Sequence, residues 1–243
     1  MMLLTLKKSE FKMEIQTLYE DNHLLIINKP NGYLVHEDKT GDESLEDIVK
    51  QHLKVKYSKP GNVYAQAVHR LDRPVSGALI FAKTSKGKER MSTLFRDREI
   101  QKTYWALSHA YPTSESGTIK HYVVKDRRRN IVSAHSKAVE GGKLAETKFQ
   151  LIGRGEPFYF VELKPTTGRP HQLRIAMKEL GSPILGDLKY GGEQIRNKRS
   201  IMLHCRQIEF IHPVKKIKVL VTAPLPNVQP WHTIHHLIPK DKK

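Results

Sequence analysis

The chain has 243 residues, 38% of them hydrophobic and 28% charged, enough for one large domain with a substantial core or two small ones. No apolar run approaches the roughly 20 residues of a membrane span, and the first eight residues place their lysines after the apolar stretch, the reverse of a secretory signal. Lysine and arginine number 42 against 25 acidic residues, a net charge of +17, which favours a polyanionic partner, nucleic acid before membrane. The one cysteine, Cys205, permits no internal disulfide and fits a reducing, cytoplasmic setting; it reads as buried and structural.

In chain order, residues 1–13 read as a leader or short edge element. The apolar run His23–Asn28 ends at the turn residues Lys29-Pro30-Asn31-Gly32. Leu45 to Val55 reads as a helix with Leu45, Ile48, Val49 and Leu53 on one side. His69-Arg70-Leu71-Asp72-Arg73-Pro74 then leads through Ser76-Gly77 into a buried strand, Ala78–Ala82. Ser85 is expected to cap a helix to about Phe95. Strands are expected at Ile100–Leu107, Gly117–Val124, Ala145–Ile152 and Tyr159–Leu163, with a basic loop at 125–130. His171–Leu180 reads as a helix with Pro170 in its first turn and Gly181 past its end. Gln207–Ile211 and Lys216–Thr222 are late strands around a His212-Pro213 turn, and the proline-containing stretch from Pro224 reads as a surface tail. Strands outnumber helices without strict alternation, so the expected class is α+β with a mixed, mostly antiparallel sheet and flanking helices.

Two constellations could carry chemistry. Around Asp72, two arginines flank a carboxylate on a loop held by Pro74 and Gly77, which is either a catalytic loop or a surface ion-pair cluster. Arg169, His171 and Arg174 gather at a helix start, where amide groups favour anions; solvated charges are the alternative. The glycines at 186, 191 and 192 fit no phosphate-binding or dinucleotide pattern, so no cofactor is expected. His232, His235 and His236 have helical spacing but no paired carboxylate, and no metal site is assigned.

These residues also resemble a family. His69-Arg70-Leu71-Asp72 with Ser76-Gly77 is similar to the signature of RluA-type pseudouridine synthases. Tyr19–Gly32 resembles the family's opening strand and turn, Gln101-Lys102-Thr103-Tyr104 its Lys-x-Tyr strand, and Thr167–Arg174 its arginine motif. Pro183–Asp187, Tyr190-Gly191 and Leu203-His204 follow in family order, so the resemblance spans about residues 14 to 225 and leaves 226–243 as a C-terminal tail. It implies a catalytic domain over 14–225 with a central RNA-binding cleft, and the short form without an S4 domain. It implies isomerisation of uridine in structured rRNA or tRNA, with Asp72 as nucleophile or general base, Arg174 pairing with it and Tyr104 stacking on the uracil. Arg70 would help hold the flipped nucleotide. Arg73, Arg169, His171, Lys125, Arg127, Arg128 and Arg129 are the further RNA-binding candidates. No obligatory protein partner is expected, and a monomer is. The competing readings are a non-catalytic RNA-binding or RNA-folding protein on the same scaffold, and a metal-dependent hydrolase, for which clustered carboxylates are missing.

Overall fold

The computed structural model describes residues 14–126, 128–155, 157–196, 199–232 and 234. The expected leader, Arg127, His235, His236 and the end of the tail lie outside the described residues. Eleven strands form one sheet: β1 (Thr17–Glu20), β2 (Leu24–Lys29), β3 (Gln66–Ala67), β4 (Ser76–Ala82), β5 (Gln101–Ser108), β6 (Ser116–Asp126), β7 (Ile131–His135), β8 (Lys143–Gly155), β9 (Phe158–Pro165), β10 (Leu203–Ile211) and β11 (Lys218–Thr222). Their order is β1-β2-β4-β10-β5-β9-β8-β6-β7, with β3 beside β4 and β11 beside β10. Among the described residues only β4 and β10 pair in parallel, so the sheet is mixed and mostly antiparallel, as the α+β reading expects. Three helices accompany it: α1 (Leu45–Lys56), α2 (Ser85–Arg96) and α3 (Gln172–Glu179). None is long and apolar enough to cross a membrane.

The central strands explain the core. Every residue of β4 is buried, which is why it reads as a continuous apolar run rather than an alternating one. α1 lays Leu45, Val49 and Leu53 on the core and is capped by Ser44, whose hydroxyl accepts from the Asp47 amide at 3.3 Å. The parallel β4–β10 contact is so close that a Cβ on Gly77 would lie 2.3 Å from the Cys205 carbonyl oxygen, and Gly77 also has a φ of +114°. Only glycine fits there. Cys205 is buried within β10, as expected.

Several local expectations need correction. Thr84, not Ser85, caps α2, because its extended backbone lets the hydroxyl accept from the Gly87 amide at 3.0 Å. The basic loop expected at 125–130 begins later, because Lys125 and Asp126 belong to β6, and Ile131–His135, for which the sequence predicts no strand, forms β7 and closes a hairpin with β6. α3 starts one residue later than expected, since His171 adopts a left-handed φ of +51° and caps the helix by backbone alone. The stretch after Pro224 is not simply a surface tail, because Trp231 and Ile234 are each 1% exposed and pack into the main core. The packed region therefore runs past residue 225.

Candidate active site

The loop between β3 and β4 carries His69 to Val75 and is held from several sides. The half-buried His69 ring accepts the Ile80 amide at its Nε2, 3.1 Å away. Burial pushes that imidazole down to about 3, so it is neutral. Gly32 donates its amide to the Arg73 carbonyl at 2.8 Å. The Lys29 ammonium, fully buried at the end of β2, donates to the carbonyls of Pro30, Arg73 and Val75 at 3.0, 3.1 and 2.7 Å. Its burial pushes it down to about 7, while the charge of Asp72 acts in the opposite sense. At the far end, Ser76 Oγ donates to His204 Nδ1 at 2.9 Å, and His204 Nε2 donates to the Ala223 carbonyl at 3.2 Å. A loop fixed by this many bonds holds its side chains on a rigid frame.

Asp72 projects from this loop into a cleft of about 940 Å³ lined on one side by the loop and on the other by β5, the end of β9 and the start of α3. Arg174, in the first turn of α3, has Nη1 3.5 Å from Asp72 Oδ2. Its principal partner is Asp187, which accepts from Nε at 2.7 Å and Nη2 at 2.6 Å. This two-pronged pair is almost completely buried, so it fixes the plane of the guanidinium and leaves Nη1 for Asp72. The ring of Tyr190 lies 5.0 Å from the guanidinium carbon. His171 Nε2 stands 3.9 Å from Asp72 Oδ2, and its Nδ1 is 2.6 Å from the Tyr190 hydroxyl.

Tyr104 lies on β5 opposite Cys205 and Leu163 and lines the same cleft. It is 7% exposed, and burial pushes its hydroxyl well above the usual phenol value, so at neutral pH it is a neutral phenol. The structure thus brings Asp72, Tyr104, Arg174, His171, Arg70 and Arg169 to one cleft. Arg70 is largely exposed, with Nη2 4.0 Å from Asp72 Oδ1. Arg169 donates from Nε to the Leu144 carbonyl at 2.9 Å.

Other expected RNA contacts are placed differently. Arg73 points away from the cleft: Nε donates to the Gly32 carbonyl at 3.0 Å and Nη2 pairs with Asp42 at 2.6 Å. His171 is buried against Tyr190 rather than open to solvent. Lys125, Arg128 and Arg129 sit at the exposed end of the β6–β7 hairpin, outside the cleft lining. Sequence reasoning missed Lys29, Asp187 and Tyr190 as site-building residues. Their signal lay in the Lys29-Pro30 and Gly186-Asp187…Tyr190-Gly191 segments, which show no chemistry until the fold brings them to Asp72. It also missed the cleft-lining Arg98, Lys148 and Lys164, and it read Lys102 only as part of the Lys-x-Tyr strand, not as a cleft cation.

A mixed sheet carrying a carboxylate loop, an arginine-led helix and a basic cleft defines a known class. Residues 23–179 match the RNA pseudouridylate synthase family, and the chain belongs to that family, in its RluA-type branch. It is an isomerase that converts uridine in RNA to pseudouridine. The chain is similar to the ribosomal large subunit pseudouridine synthase C of Vibrio cholerae, at 31% identity over 88% of this chain and 67% of that longer protein. It is also similar to the tRNA pseudouridine synthase C of Haemophilus ducreyi, at 33% identity over 91% of this chain and 95% of that one. Its fold superposes on human RNA pseudouridylate synthase domain containing 4 with a TM-score of 0.75 and 25% identity, covering 91% and 92% of the two chains.

Proposed function

We propose that Asp72 is the reacting carboxylate of this isomerase and that its substrate is a uridine in structured ribosomal or transfer RNA. The observation that carries the reading is the convergence of Arg174 Nη1 and His171 Nε2 on one oxygen of Asp72 inside the cleft. Pseudouridine formation breaks the N1–C1′ bond, turns the uracil and rejoins it through C5, with no net gain or loss of atoms. The base leaves its stack first, and Arg70, exposed at the cleft mouth, is suited to hold the flipped nucleotide. Asp72 then either adds to C1′ or removes the C2′ proton; both roles need an ionised carboxylate beside the sugar. Tyr104 stacks on the uracil. The exposed lysines and arginines around the cleft hold phosphates, which supplies affinity without reading sequence. Lys125, Arg128 and Arg129 on the hairpin extend that track outward. The protein acts as a cytoplasmic monomer without an obligatory protein partner.

The test is tritium release from ribosomal and transfer RNA transcripts labelled at uridine C5, with no added cofactor. The reading expects release from at least one class. Salt-sensitive binding to both with release from neither would instead favour a non-catalytic RNA-binding protein.

A further inference from the structure

His171 combines three unusual features. It is a bulky residue in the left-handed backbone region, it is buried, and both of its ring nitrogens face functional groups. Strained backbone of this kind persists only where the surroundings enforce it, and it gathers at functional sites. The enforcing element is identifiable. The Val132 amide on β7 donates to the Tyr190 hydroxyl at 3.0 Å. That bond fills one acceptor site of the Tyr190 hydroxyl and leaves its proton free to be donated to His171 Nδ1, 2.6 Å away. With Nδ1 accepting that proton, the neutral ring carries its own on Nε2, the nitrogen that faces Asp72. Val132, Tyr190 and Ile175 of α3 share a small core of their own, so the hairpin, Tyr190 and the helix carrying Arg174 are packed as a unit.

The two oxygens of Asp72 have different surroundings. Arg174 Nη1 and His171 Nε2 both address Oδ2, at 3.5 and 3.9 Å. Oδ1 faces the largely exposed Arg70, whose Nη2 is 4.0 Å away and which alone among the described residues pairs with it. We propose that His171 is a positioning residue: held in one tautomer by Tyr190, it acts with Arg174 to anchor Asp72 through Oδ2 and leave Oδ1 as the oxygen that reacts at the sugar. This inference rests on Asp72 being the reacting carboxylate. A separation of 3.9 Å is longer than a hydrogen bond, and such contacts commonly tighten when substrate closes the site. Burial, with the nearby cations Arg174, Lys189 and Lys125, lowers His171 to about 4 against the opposing pull of Asp72, so at neutral pH it donates without adding charge.

The first arm of the test does not depend on catalysis. Nitrogen-15 NMR of the His171 ring is expected to show a protonated Nε2 and an unprotonated Nδ1 at pH 7; the opposite tautomer would overturn the proposal. The second arm compares His171→Gln with His171→Leu under single-turnover conditions. Both carry the same backbone strain, but only glutamine returns an N–H near the place of Nε2. His171→Leu is expected to lose about 100-fold in the rate at saturating RNA with KM within about twofold, since misplacement of a reacting group costs on that order. His171→Gln should recover at least about tenfold of that loss. Equal rates in the two variants, or an effect on KM alone, would sink the idea. Should His171→Leu fail to fold, Tyr190→Phe keeps the ring packing and removes the hydroxyl. It is expected to release the tautomer and slow the saturated rate, and an unchanged rate with an unchanged tautomer would overturn the proposal. Full activity in Asp72→Ala would instead show that the underlying reading of Asp72 had failed, whatever the tautomer.

Discussion

Arg174 lies between two carboxylates of different standing. Asp187 takes two of its donors in a buried pair, and Asp72 takes the third. Asp187→Asn breaks the buried pair and leaves the guanidinium without its counter-charge. The expected cost is about 3–5 kcal/mol of stability, read from urea midpoints, because removing one partner of a buried ion pair strands the other. A loss under 1 kcal/mol would contradict the assignment of Asp187 as the principal partner. Lys29 offers a pH test. In the folded chain its ammonium titrates at about 7, against an ordinary value of 10.5. Between these values the unfolded chain binds more protons, so Lys29 makes the fold more stable as pH rises through that window. Lys29→Met removes this contribution, and wild-type stability relative to the variant is expected to rise from pH 7 to pH 9.5. A difference that does not change with pH would mean that Lys29 is charged throughout. At this scale the motifs pointed to Asp72, Arg174 and Tyr104, which the fold brings into one cleft. The sequence did not disclose Lys29, because a lysine ending an apolar strand reads as a turn residue, and its burial depends on three carbonyls from elsewhere.

The element least anticipated is the segment after Pro224. Proline spacing gave it the look of a surface tail, but Trp231 is 1% exposed and its ring meets that of His204 at 6.0 Å. His204 in turn holds Ser76 at the exit of the loop that carries Asp72. Proline content reports on backbone conformation and says nothing about where a single indole lands. Trp231→Ala is expected to cost about 3–5 kcal/mol, as truncations of large buried aromatics do. It should also loosen the loop, seen as faster amide exchange at residues 70–76. Stability within 1 kcal/mol of wild type would return this segment to the surface. The β6–β7 hairpin shows the opposite kind of miss. β7 is short and half exposed, so its apolar pattern is too weak to be read as a strand until β6 pairs with it. The buried run of β4 and the amphipathic face of α1 were legible because their patterns are strong and local.

Across the whole molecule, the net charge of +17 named a polyanionic partner before any motif did, but it did not say where the partner lies. The fold gathers Arg98, Lys102, Lys148 and Lys164 around the cleft that holds Asp72, and of these only Lys102 belongs to a recognised motif. Lys148 and Arg98 are exposed there. Neutralising both to glutamine is expected to flatten the salt dependence of RNA binding by about one to two units of log K per log salt, since each phosphate contact contributes slightly less than one. An unchanged slope would move the phosphate track elsewhere on the surface. The measurement that bears most directly on the central claim is tritium release from C5-labelled RNA by wild type and Asp72→Ala side by side, with binding of both proteins measured on the same transcript. The account predicts release by wild type, none by the variant, and affinities within about threefold, because the phosphate contacts that supply most of the affinity are untouched. Release by Asp72→Ala at the wild-type rate would contradict it.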